Sequence, residues 1–300
     1  LDIAASIQKV VEEIVIKLSS TAVKLTKSSN LCLAGGVALN CVANGKILSS
    51  RIVKNLWVQP ASGDAGGALG AALHYSFLYD KKFYKNNIDD SMKGSYLGPE
   101  YTDSEVKKYL NSIKANYNQL NFKKISLITA KEIKNGKIIG WFQGRSEFGP
   151  RALGNRSILG DARNPEMQKN INLKIKFREN FRPFAPSVLQ EFSNNIFIND
   201  KNLDLSYMTF AIKVKKEWIE KIPATVHFGT SRVQTVNKRQ NSKFYNLIKE
   251  FYKLTKIPVV LNTSFNLKGQ PIVETPNDAL GTFYSSGIDC LYLNSYFIEK

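Results

Sequence analysis

The sequence predicts an α/β protein of two domains, and three observations carry that prediction. Two short apolar runs, residues 31–34 and 56–58, each end in a glycine-bearing turn and lead into a helical pattern. Further along, strand-like runs at 137–142, 184–189, 208–214, 259–261 and 290–293 alternate with helix-period segments at 167–174, 243–256 and 277–285, the pattern of a mixed sheet covered by helices. The chain has 300 residues, 43% hydrophobic and 22% charged, enough for two modest cores. The polar, aperiodic stretch 81–94 is the best linker candidate. The expected division is a first domain over 1–95, a linker and connecting helix over 96–130, and a second domain over 131–300.

Taken in order, Ile3, Ile7, Val10, Val11, Ile14, Val15 and Leu18 recur at helical spacing and predict an amphipathic helix packed on the first domain. The chain starts at Leu1 and falls straight into this helix, from which a preceding portion of the domain is expected. Gly35 and Gly36 close the first strand run, and Asn40 lies just beyond them. A second copy follows with Gly63, Gly66 and Gly67. A strand, a glycine turn and a helix together present backbone amides to a phosphate or nucleotide, although a glycine pair also serves simple close packing. Asp64, at the second turn, can serve simply to cap the following helix, and His74 reads as a packed helix histidine. Residues 102–105 form a capping-box pattern that starts a short helix.

The stretch from Gly140 to Arg163 organises the second domain. It follows a strand run, precedes a helical pattern near Asn164, and reads as a functional turn between them. Arg145, Arg151, Arg156 and Arg163 are set among Gly144, Gly149, Gly154 and Gly160, so planar guanidinium forks and close backbone approach suit a phosphate or carboxylate. The alternative is a surface turn whose arginines are solvated or paired with neighbouring acids. In an extended segment Lys176, Arg178 and Arg182 would fall on one face. Asn262, Thr263, Ser264 and Asn266 leave the end of an apolar strand as small hydrogen-bonding groups, where α/β sheets place ligands.

Composition narrows the field. The formal net charge of +17 comes from lysines dispersed through Lys/Asn/Ile-rich stretches, so a nucleic-acid interface is not expected, while a positive field still attracts phosphorylated small substrates. No apolar run reaches the length of a membrane span and no secretory signal is evident, so a cytoplasmic location is the expectation. Cys32, Cys41 and Cys290 lack CxxC spacing, which argues against a disulfide framework and a cysteine zinc site. With two histidines, no Ser-His-Asp or Cys-His arrangement is visible.

The blocks "GWFQGRSEFGPRALGNRSILGDAR" from Gly140, "KFRENFRPFAPSVL" from Lys176 and "LNTSFNLKGQPIVETPNDAL" from Leu261 resemble the O-carbamoyltransferases related to nodulation protein U and the antibiotic carbamoyltransferases. "LAGGVALNCVANGKI" and "VQPASGDAGGALGAAL" resemble the preceding domain of the same family, so the resemblance covers most of the chain. It implies an incomplete actin/sugar-kinase-like nucleotide-binding domain followed by a YrdC-like mixed-sheet domain. By the resemblance, Lys176, Arg178, Arg182, Ser264 and Asn266 are catalytic. Arg145, Arg151, Arg156, Arg232, Asn262 and Thr263 hold substrate phosphate, and Gly35, Gly36, Asn40, Gly63, Gly66 and Gly67 contact nucleotide. Asp64 joins upstream histidines around a metal, usually iron, and magnesium accompanies ATP. The implied reaction activates carbamoyl phosphate with ATP as a carbamoyl-adenylate and transfers the carbamoyl group to a hydroxyl of a sugar, glycolipid or antibiotic-like acceptor. A segment or chain completing the first domain is implied, and a homodimer is compatible. A non-catalytic phosphate-binding module and a kinase of the actin/sugar-kinase superfamily remain the alternatives. At residues 226–236 the family usually has a His and an Asp before its Gly-Thr; here His227 is shifted and Phe228 takes the place of the acid, which puts a role for His227 in doubt while Arg232 and Gln234 still match.

Overall fold

The computed structural model describes residues 2–80, 90–199 and 203–300 of the chain. The expected linker lies largely outside them. Two compact units form, one of Leu1–Ser91 with Met208–Ile212 and the other of Met92–Tyr207 with Lys213–Lys300. The segment 96–130 therefore belongs to the body of the second unit rather than to a connection.

The first unit contains α1 (Asp2–Thr26), β1 (Asn30–Leu33), α2 (Cys41–Ser49), β2 (Asn55–Val58) and α3 (Asp64–Asp80). Strands β1 and β2 pair in parallel, with Leu31 beside Leu56 and Leu33 beside Val58. The Gly35 amide donates to the Ser62 carbonyl at 2.7 Å, so the two glycine turns abut beyond the carboxyl ends of the strands. At Gly66 a Cβ would lie 2.0 Å from the Ala61 carbonyl oxygen, so only glycine permits this backbone approach.

Helix α1 departs from expectation. Of its predicted apolar stripe, Ile3, Ile7, Val10, Ile14 and Leu18 are exposed and Val11 and Val15 half-buried, whereas Glu12 and Ser19 are buried. The helix packs on α2. The side carrying Gln8 and Glu12 is held there, with Gln8 Nε2 donating to Glu12 Oε1 at 3.0 Å and exchanging hydrogen bonds with Asn40 at 2.9 and 3.3 Å. Periodicity identified the stripe, but nothing among the described residues covers it. His74, expected to be packed, is exposed on α3.

The second unit runs through α4 (Asp103–Ser112), β3 (Asn118–Gln119), α5 (Phe122–Lys134), β4 (Ile139–Phe142), β5 (Arg156–Gly160), α6 (Glu166–Lys174) and β6 (Ala185–Leu189). It continues with α7 (Ser193–Ile196), β7 (Ala211–Lys213, whose first two residues fall in the other unit), α8 (Lys216–Ile219), β8 (Thr230–Arg232) and β9 (Gln234–Val236). It ends with α9 (Ser242–Thr255), β10 (Val259–Ser264), α10 (Pro276–Tyr284), β11 (Cys290–Leu293) and β12 (Tyr296–Glu299). Eight strands form one mixed sheet in the order β3-β12-β11-β4-β5-β10-β6-β9. The α/β expectation holds, and the helices predicted at 167–174, 243–256 and 277–285 appear as α6, α9 and α10 within one residue at each end.

Each face of the sheet has its own core. Ile171, Ala279 and Phe283 of α6 and α10 pack with Ile158, Leu261 and Leu291 on one side, and Phe244, Leu247, Ile248 and Phe251 of α9 pack with Trp141, Leu159 and Val260 on the other. The Phe244 to Phe251 spacing is the one-sided apolar stripe of a surface helix. Helix α4 starts with the predicted capping box, in which the Glu105 amide donates to Thr102 Oγ1 at 3.2 Å and the Thr102 amide to Glu105 Oε2 at 2.7 Å.

The Gly140–Arg163 stretch is not a single turn. Its residues 156–160 form β5, a central strand antiparallel to both β4 and β10. The strand run expected over 208–214 shrinks to β7. Gly154 closes the loop that precedes β5 with φ 106°, and a Cβ there would meet Phe244 Cδ1 at 2.2 Å. Gly154→Ala is therefore expected to lower the stability of the second unit by at least ~2 kcal/mol, from left-handed strain and overpacking together. Chemical denaturation checks this, and a change below about 0.5 kcal/mol would show that the loop and α9 yield freely.

Candidate active site

The four arginines of the organising stretch have separate fates. Arg156 is fully buried, its Nη1 donating to the carbonyls of Gln143, Gly144 and Asn155 at 2.9, 3.1 and 3.0 Å and its guanidinium lying 3.5 Å from the Phe142 ring centroid. Burial pulls its pKa down to about 10. Arg163 is engaged by the buried Asp161 in a two-pronged pair at 2.9 and 2.6 Å. Arg145 is exposed and donates to the Gly98 carbonyl at 2.9 Å, with Glu100 at 3.9 Å. Arg151 is half-buried on the loop before β5.

The amides of that loop do not face outward as the glycine pattern suggests. Oε1 of Glu147 accepts from the backbone amides of Leu153, Asn155 and Arg156 at 2.7, 2.8 and 3.3 Å. The chain's own carboxylate thus occupies the amide nest, and burial pushes its pKa up against those hydrogen bonds. Sequence reasoning missed Glu147, although an acid set among four arginines, one of only two acids in the stretch, was the available signal.

Where period two was expected to gather the cations, a turn does so instead. After α6 the chain bends, with Phe177 at φ 44°, and Lys176 is carried to the end of β10. Its Nζ donates to the Ser264 carbonyl at 2.5 Å, Ser264 Oγ at 3.2 Å, the Asn266 carbonyl at 2.9 Å and Asn266 Oδ1 at 2.7 Å. Ser264 Oγ in turn donates to Asn266 Oδ1 at 2.7 Å. Lys176 is only 4% exposed, and its partners are neutral oxygens rather than a carboxylate. Burial first, and the Arg178 cation second, push its ammonium down to about 7.

Arg178 is steered by Asn172, whose Oδ1 accepts from its Nε at 2.7 Å, and by the Phe184 ring 5.0 Å from its guanidinium carbon. Its pKa is lowered by burial and then by the Arg182 and Arg232 cations. Arg182 pairs with Glu179 at 2.8 Å in solvent. Asn266 also lines a 520 Å³ cleft shared with Glu147, Gly149, Arg156 and residues 271–274.

Asn262 is held in place inside the fold. Its Nδ2 donates to Ala152 O, Ser187 Oγ and Gln234 Oε1 at 3.2, 3.0 and 3.0 Å, tying β10, β6 and β9 to the loop before β5. Thr263, next along β10, is half-buried and alternates to the opposite side of the strand. In the first unit Gly35, Gly36, Gly63 and Gly67 have open space where a Cβ would stand. Asn40 is engaged in capping α2 through the Ala43 amide at 3.1 Å. Asp64 is exposed in the first turn of α3. No group of three His, Cys, Asp or Glu side chains gathers anywhere among the described residues, so those present do not by themselves fit an iron site.

The second unit is thus a mixed-sheet α/β fold that brings a buried lysine to the end of β10, with Arg178 two residues further along the chain. Family models described as Carbamoyltransferase C-terminus and Carbamoyltransferase N-terminus match residues 130–300 and 1–73, and the chain belongs to the carbamoyltransferase family. It is 44% identical over 325 residues to the uncharacterized protein sll1178 of Synechocystis sp., covering all of this chain and 52% of that protein. It is 40% identical over 301 residues to nodulation protein NolO of Bradyrhizobium diazoefficiens, covering all of this chain and 54% of that protein. To nodulation protein U of Rhizobium fredii it is 35% identical over 247 residues, 82% of this chain and 39% of that one. The chain spans about half the length of the curated relatives it matches. Full-length HypF in its phosphate- and nucleotide-bound form overlaps 59% of this chain and 25% of its own at a TM-score of 0.41 and 19% identity, too distant to carry an argument.

The depressed Lys176 ammonium sets opposite pH trends for affinity and stability. Sulfate, which keeps its charge through this range, should bind more weakly as pH rises through about 7 and the ammonium is lost, whereas Lys176→Met should bind weakly with a flat profile. Between about 7 and about 10.4 the unfolded chain holds a proton that the native one lacks, so the contribution of Lys176 to stability grows with pH. Sulfate titrations and denaturant midpoints across that window check both slopes; an affinity that is flat in the wild-type chain would place the ammonium outside the anion site.

Proposed function

We propose that this chain carries the activation site of an ATP-dependent O-carbamoyltransferase, in a YrdC-like second unit preceded by part of an actin-like one. The observation that carries the reading is the Lys176–Ser264–Asn266 cluster with Arg178 beside it, where cations stand against neutral oxygens and repel one another. Membership of the carbamoyltransferase family supports the substrate class. Carbamoyl phosphate first loses its phosphate to water, leaving carbamate. A carbamate oxygen then bonds to the α-phosphorus of ATP as the α–β phosphoanhydride breaks, releasing pyrophosphate and a carbamoyl-adenylate. Attack of an acceptor hydroxyl on the carbamoyl carbon finally expels AMP. The acceptor in this reading is a hydroxyl of a sugar, glycolipid or antibiotic-like molecule.

Like-charged reactants meet only where cations and fixed dipoles neutralise them, and the chain's own groups serve that end. Lys176 and Arg178 face the reacting phosphoryl and carbamate oxygens, and Ser264 and Asn266 hold the ammonium in register. Arg151, Arg182 and Arg232 neutralise the outlying phosphates. Magnesium supplies further charge neutralisation when bound with ATP. The glycine turns of the first unit, with Asp64 between them, belong in this reading to the transfer step.

Labelled pyrophosphate should be exchanged into ATP only when carbamoyl phosphate is present. Arg178→Ala and Ser264→Ala are each expected to weaken ATP binding by roughly 1.5 to 3 kcal/mol, the value of a hydrogen bond to a charged group in a shielded site. Arg178→Lys should also impair it, because a point charge does not reproduce a planar fork. Wild-type affinity in all three variants, or exchange that ignores carbamoyl phosphate, would sink the assignment.

A further inference from the structure

Asn172 stands on α6 where an apolar residue is the rule. It is fully buried, as are Met167, Ile171 and Ile175 beside it, which belong to the core on that face of the sheet. A buried carboxamide is costly unless its polar atoms are met. Here they are met, and every partner lies in the cation-bearing segment that follows the helix. Nδ2 donates to the carbonyls of Asn180 and Arg182 at 3.2 and 2.9 Å, and Oδ1 accepts from Arg178 Nε at 2.7 Å. The main-chain carbonyl of Asn172 also accepts from the Arg178 amide at 3.1 Å.

The side-chain bonds are of two kinds. Those from Nδ2 close the segment, and Gln168 duplicates them, its Nε2 donating to the same carbonyls of Asn180 and Arg182 at 3.3 and 3.1 Å. The bond from Arg178 Nε has no counterpart at Gln168. It ties side chain to side chain, adds nothing to the closure of the backbone, and fixes the direction of one guanidinium, which the Phe184 ring flanks at 5.0 Å.

The chemistry of the acceptor matters as much as its position. Arg163 and Arg182 are each met by a carboxylate, Asp161 at 2.6 Å and Glu179 at 2.8 Å. Arg178 forms no ion pair among the described residues and is met by an uncharged oxygen instead. An aspartate would offer the same acceptor but would take up the charge that attracts an anion. Lys176, two residues earlier, is likewise held by the neutral oxygens of Ser264 and Asn266. We propose that Asn172 is a positioning residue of the activation site, aiming Arg178 through an uncharged acceptor so that the guanidinium is fixed while its charge is left for substrate phosphate or carbamate. The inference rests on the activation-site reading above and adds to it a residue that touches no substrate.

Calorimetry with inorganic tripolyphosphate across a double-mutant cycle tests this. Asn172→Ala should weaken binding roughly 3- to 30-fold in the wild-type chain but less than about twofold in the Arg178→Ala chain, since residues that act as one unit lose their effect together. Asn172→Leu, of similar size, serves in the same cycle should the alanine cavity lower stability. Gln168→Ala, which removes the duplicate segment bonds and not the contact with Arg178, should stay within about twofold of wild type. The Asn172 variants should also keep the decline of sulfate affinity as pH rises through about 7, which Lys176 sets and a collapsed segment would lose. Equal falls in both backgrounds, or a fall in Gln168→Ala that matches the one in Asn172→Ala, would show that the carboxamide only closes the segment, and would overturn the positioning role while leaving the activation reading intact. A chain that shows the expected coupling but exchanges no pyrophosphate when carbamoyl phosphate is present keeps the role of Asn172 toward Arg178 and loses the reaction assigned to the site. A wild-type chain that binds neither anion overturns both.

Discussion

The second unit depends on a buried cation in the middle of its sheet. Arg156 opens β5, a strand with partners on both sides, and its guanidinium is enclosed against Phe142 and three carbonyl groups. An isolated buried charge is costly, and here carbonyl dipoles and π-density surround the guanidinium except at its buried Nε, which has no hydrogen-bond partner. Glu147 completes the arrangement by taking the amides of the same loop. Carbonyls turned to a cation and amides turned to an anion tie the connection between β4 and β5 together, beside the 520 Å³ cleft that Glu147 and Arg156 help to line.

Around that body the unit tolerates electrostatic repulsion where it is useful. Arg178, Arg182 and Arg232 lie close enough to depress the Arg178 pKa, and Lys176 is buried among neutral oxygens. Asn172 and Phe184 hold Arg178 from behind, so the side chain stays in place against that repulsion. The buried Asn262, Ser187 and Gln234 network keeps the neighbouring strands in register.

The first unit offers a different lesson. Its glycine turns abut beyond a parallel strand pair, as the repeated strand-glycine-helix pattern implied, and Gly66 is glycine because a backbone oxygen occupies the place of its Cβ. Yet α1 shows that a hydrophobic period tells which side of a helix is apolar and not what lies against it. The Gln8 and Asn40 hydrogen bonds decide which side meets α2.

Local patterns alone determined the α/β class, the positions of α6, α9, α10 and β11, and the capping box of α4, because each is set by spacing or by hydrogen bonds three residues apart. They also marked Ser264 and Asn266, since strand ends in α/β sheets collect polar side chains, whereas Lys176 joined them only through the family resemblance. Tertiary structure decided the rest. Residues 156–160 read as part of a turn because glycine and arginine flank them, and only pairing with β4 and β10 makes them a strand. Arg156 and Arg163 have the same side chain as Arg178, but whether a guanidinium faces a carbonyl, an aspartate or open solvent depends on partners up to 57 residues distant in sequence, which no local period encodes.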